Sequence, residues 1–267
     1  MTIRLAIAFA ILSALFSPPT RADDILFIGN SFTFGATVPV VQSNGGVPKL
    51  VEAIAQAKGK QVATMALTAG GKDWSYHLSQ PATNEALQSK TWTSVVLQDM
   101  STRPTRFGNV DQFLQDGEIF SDRISQNSPA AGVVLFETWA RPPGEFYRNS
   151  PTYGPKQMMG ELHDAYALLR KNLAAKNPSR PALVAPVGTA FARAAAEYPE
   201  VNVNASDQHH ATADGYYLAA LVIYETIYRD RVKGAPTHFY HDALVIPDSD
   251  ATKLQAVADE VSASAAN

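Results

Sequence analysis

Residues 25–31 read Ile25-Leu26-Phe27-Ile28-Gly29-Asn30-Ser31, an apolar run of four that stops at a glycine. Such a run, with no polar alternation, is typical of a strand buried on both faces of a parallel sheet. Ser31 follows in the first turn after the strand, where a helix should begin. We therefore expect the serine hydroxyl and its backbone N–H at the carboxyl edge of the sheet, where ligands bind in such folds.

Four further apolar segments continue this pattern, and helical segments separate them. Strands are predicted over residues 61–68, 94–98, 132–136 and 182–187, and helices over 47–58, 73–89, 110–124, 158–173, 213–230 and 251–261. The alternation predicts an α/β protein, a three-layer α/β/α sandwich around about five parallel strands. No repeat or shift in composition marks a boundary, so residues 23–267 are predicted to form a single domain.

The composition excludes several classes of protein. The chain has 267 residues, of which 46% are hydrophobic and 18% charged, with a formal net charge of −3 and no cysteine. That balance is too apolar for a disordered chain. The lack of cysteine excludes a disulfide scaffold, a thiolate metal site and a cysteine nucleophile. No basic stretch is present to bind nucleic acid.

The N-terminus has the pattern of an export signal. Arg4 precedes an almost wholly apolar run over residues 5–16, and Pro18, Pro19 and the small Ala22 follow. A run of 12 residues is too short to cross a bilayer, which needs roughly 20. We predict a signal peptide over residues 1–22, with an anchor helix as the alternative. The mature protein is then bacterial, periplasmic or secreted, without stable insertion in the membrane.

A second motif lies near the C-terminus. Asp207 and His210 are separated by two residues, so one loop can place a carboxylate beside an imidazole. The carboxylate would hold one ring nitrogen and leave the other free to accept a proton from a serine. Two alternatives stay open at this point, because Ser31 could simply cap the next helix and His209 could be the functional ring.

Together, the two motifs resemble the SGNH/GDSL hydrolase superfamily. Gly29-Asn30-Ser31-Phe32-Thr33 stands where that superfamily has its nucleophile, and Asp207-x-x-His210 where it has its acid and base. The resemblance covers nearly all of the mature chain in the same order. It implies a flavodoxin-like sandwich and ester hydrolysis by a triad of Ser31, His210 and Asp207.

The resemblance also implies an oxyanion hole. Its donors would be the N–H of Ser31, a glycine N–H after the second strand, and a side-chain amide after the third. The glycine is Gly71 or its neighbour Gly70, and we favour Gly71 because it precedes a helix-like segment. Gln98 takes the place where the superfamily usually has an asparagine.

Aromatic residues flank a long loop that contains four prolines, residues 140–155. We expect Asn30 and Trp139 to contact the substrate. Trp139, Arg141, Tyr147 and Tyr153 would either form a wall on which a sugar stacks or pack the loop onto the domain, and the sequence favours neither.

The predicted function is that of a serine esterase acting on O-acyl esters, most simply an acetyl group on a carbohydrate. A lipase or thioesterase of the same superfamily is one alternative, and a non-catalytic polysaccharide-binding protein is another. His238 and His241, with the pair at 209–210, raise the idea of a metal cluster, but no acidic ligand motif accompanies them. We therefore expect neither a metal nor another cofactor.

Overall fold

The computed structural model describes residues 22–265, with side chains up to residue 263. The predicted signal peptide, apart from Ala22, lies outside the described residues and remains a prediction. Five parallel strands form the main sheet, in the order β2-β1-β3-β4-β5. They are β1 (Asp23–Gly29), β2 (Val62–Thr68), β3 (Ser94–Leu97), β4 (Gly132–Phe136) and β5 (Ala182–Ala185). The predicted fold class is confirmed.

Helices cover both faces of this sheet. They are α1 (Ser31–Phe34), α2 (Pro39–Ser43), α3 (Val47–Ala57), α4 (Trp74–Ser79), α5 (Pro81–Gln88), α6 (Val110–Asn127), α7 (Pro155–Lys176), α8 (Val187–Glu197), α9 (Ala213–Tyr228) and α10 (Asp248–Ala265). Two short antiparallel strands, β6 (His238–Phe239) and β7 (Leu244–Val245), form a separate hairpin.

Successive residues of β1 point into two different cores, which explains why the strand is apolar throughout. Ile25 and Phe27 belong to the core that contains α3, α8, α9 and α10. Leu26 and Ile28 belong to the core that contains α4 to α7. Side chains alternate between the faces of a strand, so a strand covered on both faces needs apolar residues at every position.

Two predicted elements differ from those observed. The fifth strand ends at Ala185, and after Pro186 the chain forms α8, which the sequence pattern did not predict. The buried Glu137, just after β4, accepts hydrogen bonds from the N–H and hydroxyl of Thr189 and so fixes the start of that helix. The helix predicted over 73–89 is two helices, because Pro81 begins a new one.

Among the described residues, no helix is both long and apolar enough to cross a membrane. The segment around His238 and His241 forms the β6–β7 hairpin, and His238 pairs with Asp242 at 2.9 Å. Within the described part of the chain, no three histidine or acidic side chains are grouped as metal ligands would be.

Candidate active site

Ser31 is the first residue of α1, directly beyond the carboxyl end of β1. The Asn30 side chain caps this helix by accepting the Phe32 N–H, and its Nδ2 donates to the Lys72 carbonyl at 3.0 Å. A Cβ at Gly29 would lie 2.3 Å from the Thr33 hydroxyl oxygen. A larger residue at position 29 would therefore displace the Thr33 and Gln98 side chains, which pack against the end of this strand.

His210 meets Ser31 across 179 positions of sequence. Its Nε2 lies 2.9 Å from Ser31 Oγ, and its Nδ1 lies 2.6 Å from Asp207 Oδ2. With Nδ1–H donating to the carboxylate, Nε2 is left as an acceptor for the serine hydroxyl. The three residue types that a Ser–His–Asp triad requires are thus joined in the right sequence of hydrogen bonds.

The carboxylate of Asp207 is held in its ionised form. Partial burial favours the neutral acid, but hydrogen bonds from the His210 ring and from the backbone N–H groups of His209 and His210 outweigh burial and lower the pKa of Asp207 to about 2. Burial, together with the nearby Arg141 cation, lowers the pKa of His209 to about 4. His209 is therefore neutral at pH 7, beside the ring that contacts Ser31.

A tight turn presents Asp207 and His210 together. Ala205 N–H donates to the His210 carbonyl at 2.8 Å, and Gln208 at the tip has a left-handed φ of 55°. Thr212 then caps α9 by accepting the Gly215 N–H. The turn is thus anchored to one of the most deeply buried helices of the domain, which fixes the position of the imidazole.

A stack of three rings lies under the site. Trp139 is only 2% exposed, and its indole lies between Phe32, at 4.0 Å between centroids, and Phe191, at 4.3 Å. Its Nε1 donates to the His209 carbonyl at 3.1 Å. Both faces of Trp139 are covered, so no sugar can stack on it. Trp139 instead packs against the Ser31 helix and holds the His209 carbonyl. A substrate contact through the part of Trp139 that lines a neighbouring apolar groove stays a prediction.

The aromatic residues of the loop 140–155 are also buried rather than exposed to a substrate. Tyr147 and Tyr153 are buried, and their hydroxyls donate to the Arg141 carbonyl at 2.8 Å and to Glu161 at 2.7 Å. Of the two readings that the sequence left open, the structure favours loop packing for these tyrosines. Asn30 lines the cleft beside Ser31, although its side-chain oxygen and nitrogen are both engaged with backbone.

Two predicted oxyanion donors face one small cleft. Ser31 and Gly71 both line this cleft, whose volume is about 100 Å³. Gly71 has a left-handed φ of +66°, and nothing lies within 4 Å of the place where its side chain would begin. Within residues 22–265, neither backbone N–H donates to another group. Gly70 does not line the cleft.

The third predicted oxyanion donor, Gln98, lies outside this cleft, against the Ser31 turn. It is buried and does not line the cleft. Its Oε1 accepts the Asn30 N–H at 2.8 Å and the Thr33 hydroxyl at 2.9 Å, and its Nε2 donates to the Asp99 carbonyl. Nε2 makes one hydrogen bond only, but the side chain lies outside the cleft. The geometry shows Gln98 as a strut that holds the Ser31 turn against β3, and gives its predicted oxyanion role no support.

The cleft contains polar atoms that the motifs did not indicate. Ser101 Oγ, Arg141 Nε and His209 Nδ1 are buried and have no hydrogen-bond partner among the described residues, and all three side chains line the cleft with Ser31. Ser101 was missed because nothing in its local sequence distinguishes it from any loop serine. Its place after β3, at the carboxyl edge of the sheet, was the only signal.

The sequence matches no protein-family model and no curated protein. Solved structures do match. A protein from Slackia heliotrinireducens described as "a putative SGNH hydrolase" is 25% identical, with a TM-score of 0.58, over 78% of this chain and all of that one. A DUF4886 family protein from Bacteroides uniformis is 16% identical, with a TM-score of 0.66, over 90% of this chain and 95% of that one.

The psychrotrophic esterase EstA from Pseudoalteromonas is 15% identical, with a TM-score of 0.55, over 78% of this chain and 97% of that one. The two matches below 25% identity support the fold alone. The match to the Slackia protein confirms the resemblance to the SGNH/GDSL hydrolase superfamily that the two motifs indicated.

Proposed function

We propose that this protein is a serine esterase that hydrolyses O-acyl esters, chiefly O-acetyl groups on carbohydrates. Ser31 is the nucleophile, His210 the general base and acid, and Asp207 the residue that orients His210. The observation that carries the proposal is the pair of hydrogen bonds that joins Ser31 Oγ, His210 and Asp207, at 2.9 and 2.6 Å.

The first half of the reaction acylates Ser31. Its oxygen attacks the ester carbonyl carbon while its proton passes to His210 Nε2, and Asp207 stabilises the imidazolium that forms. The carbonyl oxygen, now negative, accepts hydrogen bonds from the free backbone N–H groups of Ser31 and Gly71. The hydroxyl of Ser101 in the same cleft is available as a third donor. The C–O bond of the ester then breaks, and the alcohol leaves with the proton from His210.

The second half releases the acid. Water attacks the acyl-enzyme carbonyl and gives its proton to His210, and the second tetrahedral intermediate uses the same donors. Ser31 leaves as the proton returns to it from His210, so one ester and one water yield one acid and one alcohol. The proposed chemistry needs only these groups and water.

The dimensions of the cleft support a short acyl group. Its volume of about 100 Å³, with Met100 among its lining residues, suits an acetyl group.

We place the activity outside the cytoplasm on the N-terminal sequence alone, which predicts export.

One observation favours a second candidate, an esterase or lipase for longer acyl chains. A groove of about 710 Å³, mostly apolar, lies beyond Trp139 and Arg141, which also line it. Pro142, Met159 and Phe191 supply part of its surface. An acyl chain too long for the cleft would bury apolar surface in this groove.

The test begins with Ser31→Ala. The substitution removes the nucleophile, so hydrolysis of p-nitrophenyl acetate should fall to the uncatalysed background, and labelling by a fluorophosphonate probe should be lost. Exposed Ser43→Ala is the matched control and should behave as wild type. Hydrolysis by Ser31→Ala near the wild-type rate would contradict the nucleophile assignment.

Two further measurements separate the candidates. Rates on acetyl, butyryl and octanoyl p-nitrophenyl esters should be highest for acetyl, whereas a maximum at octanoyl would favour the second candidate. Wild-type protein that neither reacts with the probe nor hydrolyses any of these esters would favour the non-catalytic alternative.

A further inference from the structure

Arg141 places a cation in the cleft that contains Ser31. It follows β4 at the start of the loop 140–154, and its half-buried side chain lines the cleft with Ser31 and His209. The loop fixes it from two directions. The guanidinium carbon lies 4.7 Å from the centroid of the Phe146 ring, and the Arg141 carbonyl accepts the Tyr147 hydroxyl.

No group in the described part of the chain pairs with this guanidinium. None of its five N–H donors makes a hydrogen bond there, and Nε is buried without a partner. The carboxylate whose charge acts on it is Asp207, which is not within ion-pair distance and whose oxygens are already engaged with His210 and with backbone N–H groups.

A partly buried arginine without a hydrogen-bond partner destabilises the folded protein. Nε is removed from water and has no hydrogen-bond partner among the described residues, and leaving such an atom unsatisfied costs free energy. The neighbouring Arg148, in contrast, is exposed and pairs with Glu145. The planar fork of a guanidinium matches a carboxylate with two parallel hydrogen bonds. An anion that entered the cleft would therefore satisfy donors that the protein itself leaves open.

The position of Arg141 indicates which part of a substrate would carry the anion. His210 must hand its proton to the departing alcohol, so the alcohol lies on the imidazole side of Ser31. Arg141 lies on that side too, because it lines the cleft beside His209, whose ring centroid is 4.3 Å from that of His210.

We infer that Arg141 is a specificity-determining residue that binds a carboxylate on the alcohol part of the ester. The preferred substrates are then acylated alcohols that carry a carboxylate, such as acidic sugars or hydroxy acids. The inference rests on the proposed function and narrows its substrate class.

The test compares matched charged and neutral esters. The alcohol-side pair is 4-acetoxybenzoate and its methyl ester, and the acyl-side pair is 4-nitrophenyl hydrogen succinate and 4-nitrophenyl butyrate. For the alcohol-side pair, Arg141→Gln should lower the charged-to-neutral ratio of kcat/KM about 10- to 100-fold, the range for one charge-assisted pair. The loss should appear mainly in KM, since the contact is made before the transition state.

Two variants control the experiment. Arg141→Lys keeps the charge but not the fork, and should retain part of the preference. Arg148→Gln removes a cation from the same loop and should leave the ratio unchanged.

The outcomes are distinguishable. A ratio that Arg141→Gln leaves at the wild-type value would overturn the inference while the esterase function stands. An effect confined to the succinate pair would overturn the placement on the alcohol side. Failure of wild-type protein to exceed Ser31→Ala on all four esters would overturn the proposed function itself.

Discussion

Replacing Gln98 by alanine tests whether this side chain supports the active-site turn or donates to an oxyanion. The truncation leaves three buried groups without their partner: the Asn30 N–H, the Thr33 hydroxyl and the Asp99 carbonyl. Each unsatisfied buried group costs about 1–3 kcal/mol. Water that enters the vacated space would satisfy part of them, so we expect unfolding free energy to fall by roughly 2–5 kcal/mol.

The assay is urea denaturation followed by tryptophan fluorescence, in parallel with kcat on p-nitrophenyl acetate. The denaturation midpoint should fall for Gln98→Ala, and kcat should fall with it because Ser31 is no longer held in place. Gln88→Ala, at an exposed helix position, should change stability by about 0.5 kcal/mol or less. A kcat reduced 100-fold or more at an unchanged midpoint would refute this reasoning, because a direct oxyanion donor behaves in that way.

Two further predictions concern the groups around His210. Asp207→Asn should lower kcat on the order of 10³- to 10⁴-fold, because the amide no longer fixes the ring with Nε2 as acceptor; a loss below tenfold in steady-state assays would contradict that role. Trp139→Ala should lower the unfolding free energy by about 3–5 kcal/mol in urea denaturation, since it empties the space between Phe32 and Phe191. A midpoint equal to that of the wild type would show that the ring stack contributes little.

Local patterns in the sequence correctly predicted the fold class. Apolar runs such as residues 25–28 predicted strands buried on both faces, and they proved to be so because each strand supplies side chains to two cores. The pattern failed at α8, where Pro186 and an alanine-rich segment follow a strand directly. Short apolar segments suit a strand and a buried helix equally well, and only their packing decides between them.

The motifs also determined which residue types could react, since Ser31 follows its strand directly and Asp207 and His210 share one turn. The distance between serine and imidazole depended on the tertiary structure, because the two residues are 179 positions apart in the chain. The tertiary structure also determined which way the Gln98 side-chain amide points.

Side chains at the edge of the sheet turn toward whichever partners neighbouring elements provide. The Gln98 side chain makes three hydrogen bonds, two of them to the Ser31 turn, and does not line the cleft. Arg141 Nε has no hydrogen-bond partner among the described residues, and this side chain does line the cleft. The sequence alone predicted most of the helices and strands and the reactive groups, because those depend on near neighbours along the chain. The tertiary structure alone decided which polar atoms remain free to bind a substrate, because hydrogen bonds are satisfied by neighbours in space.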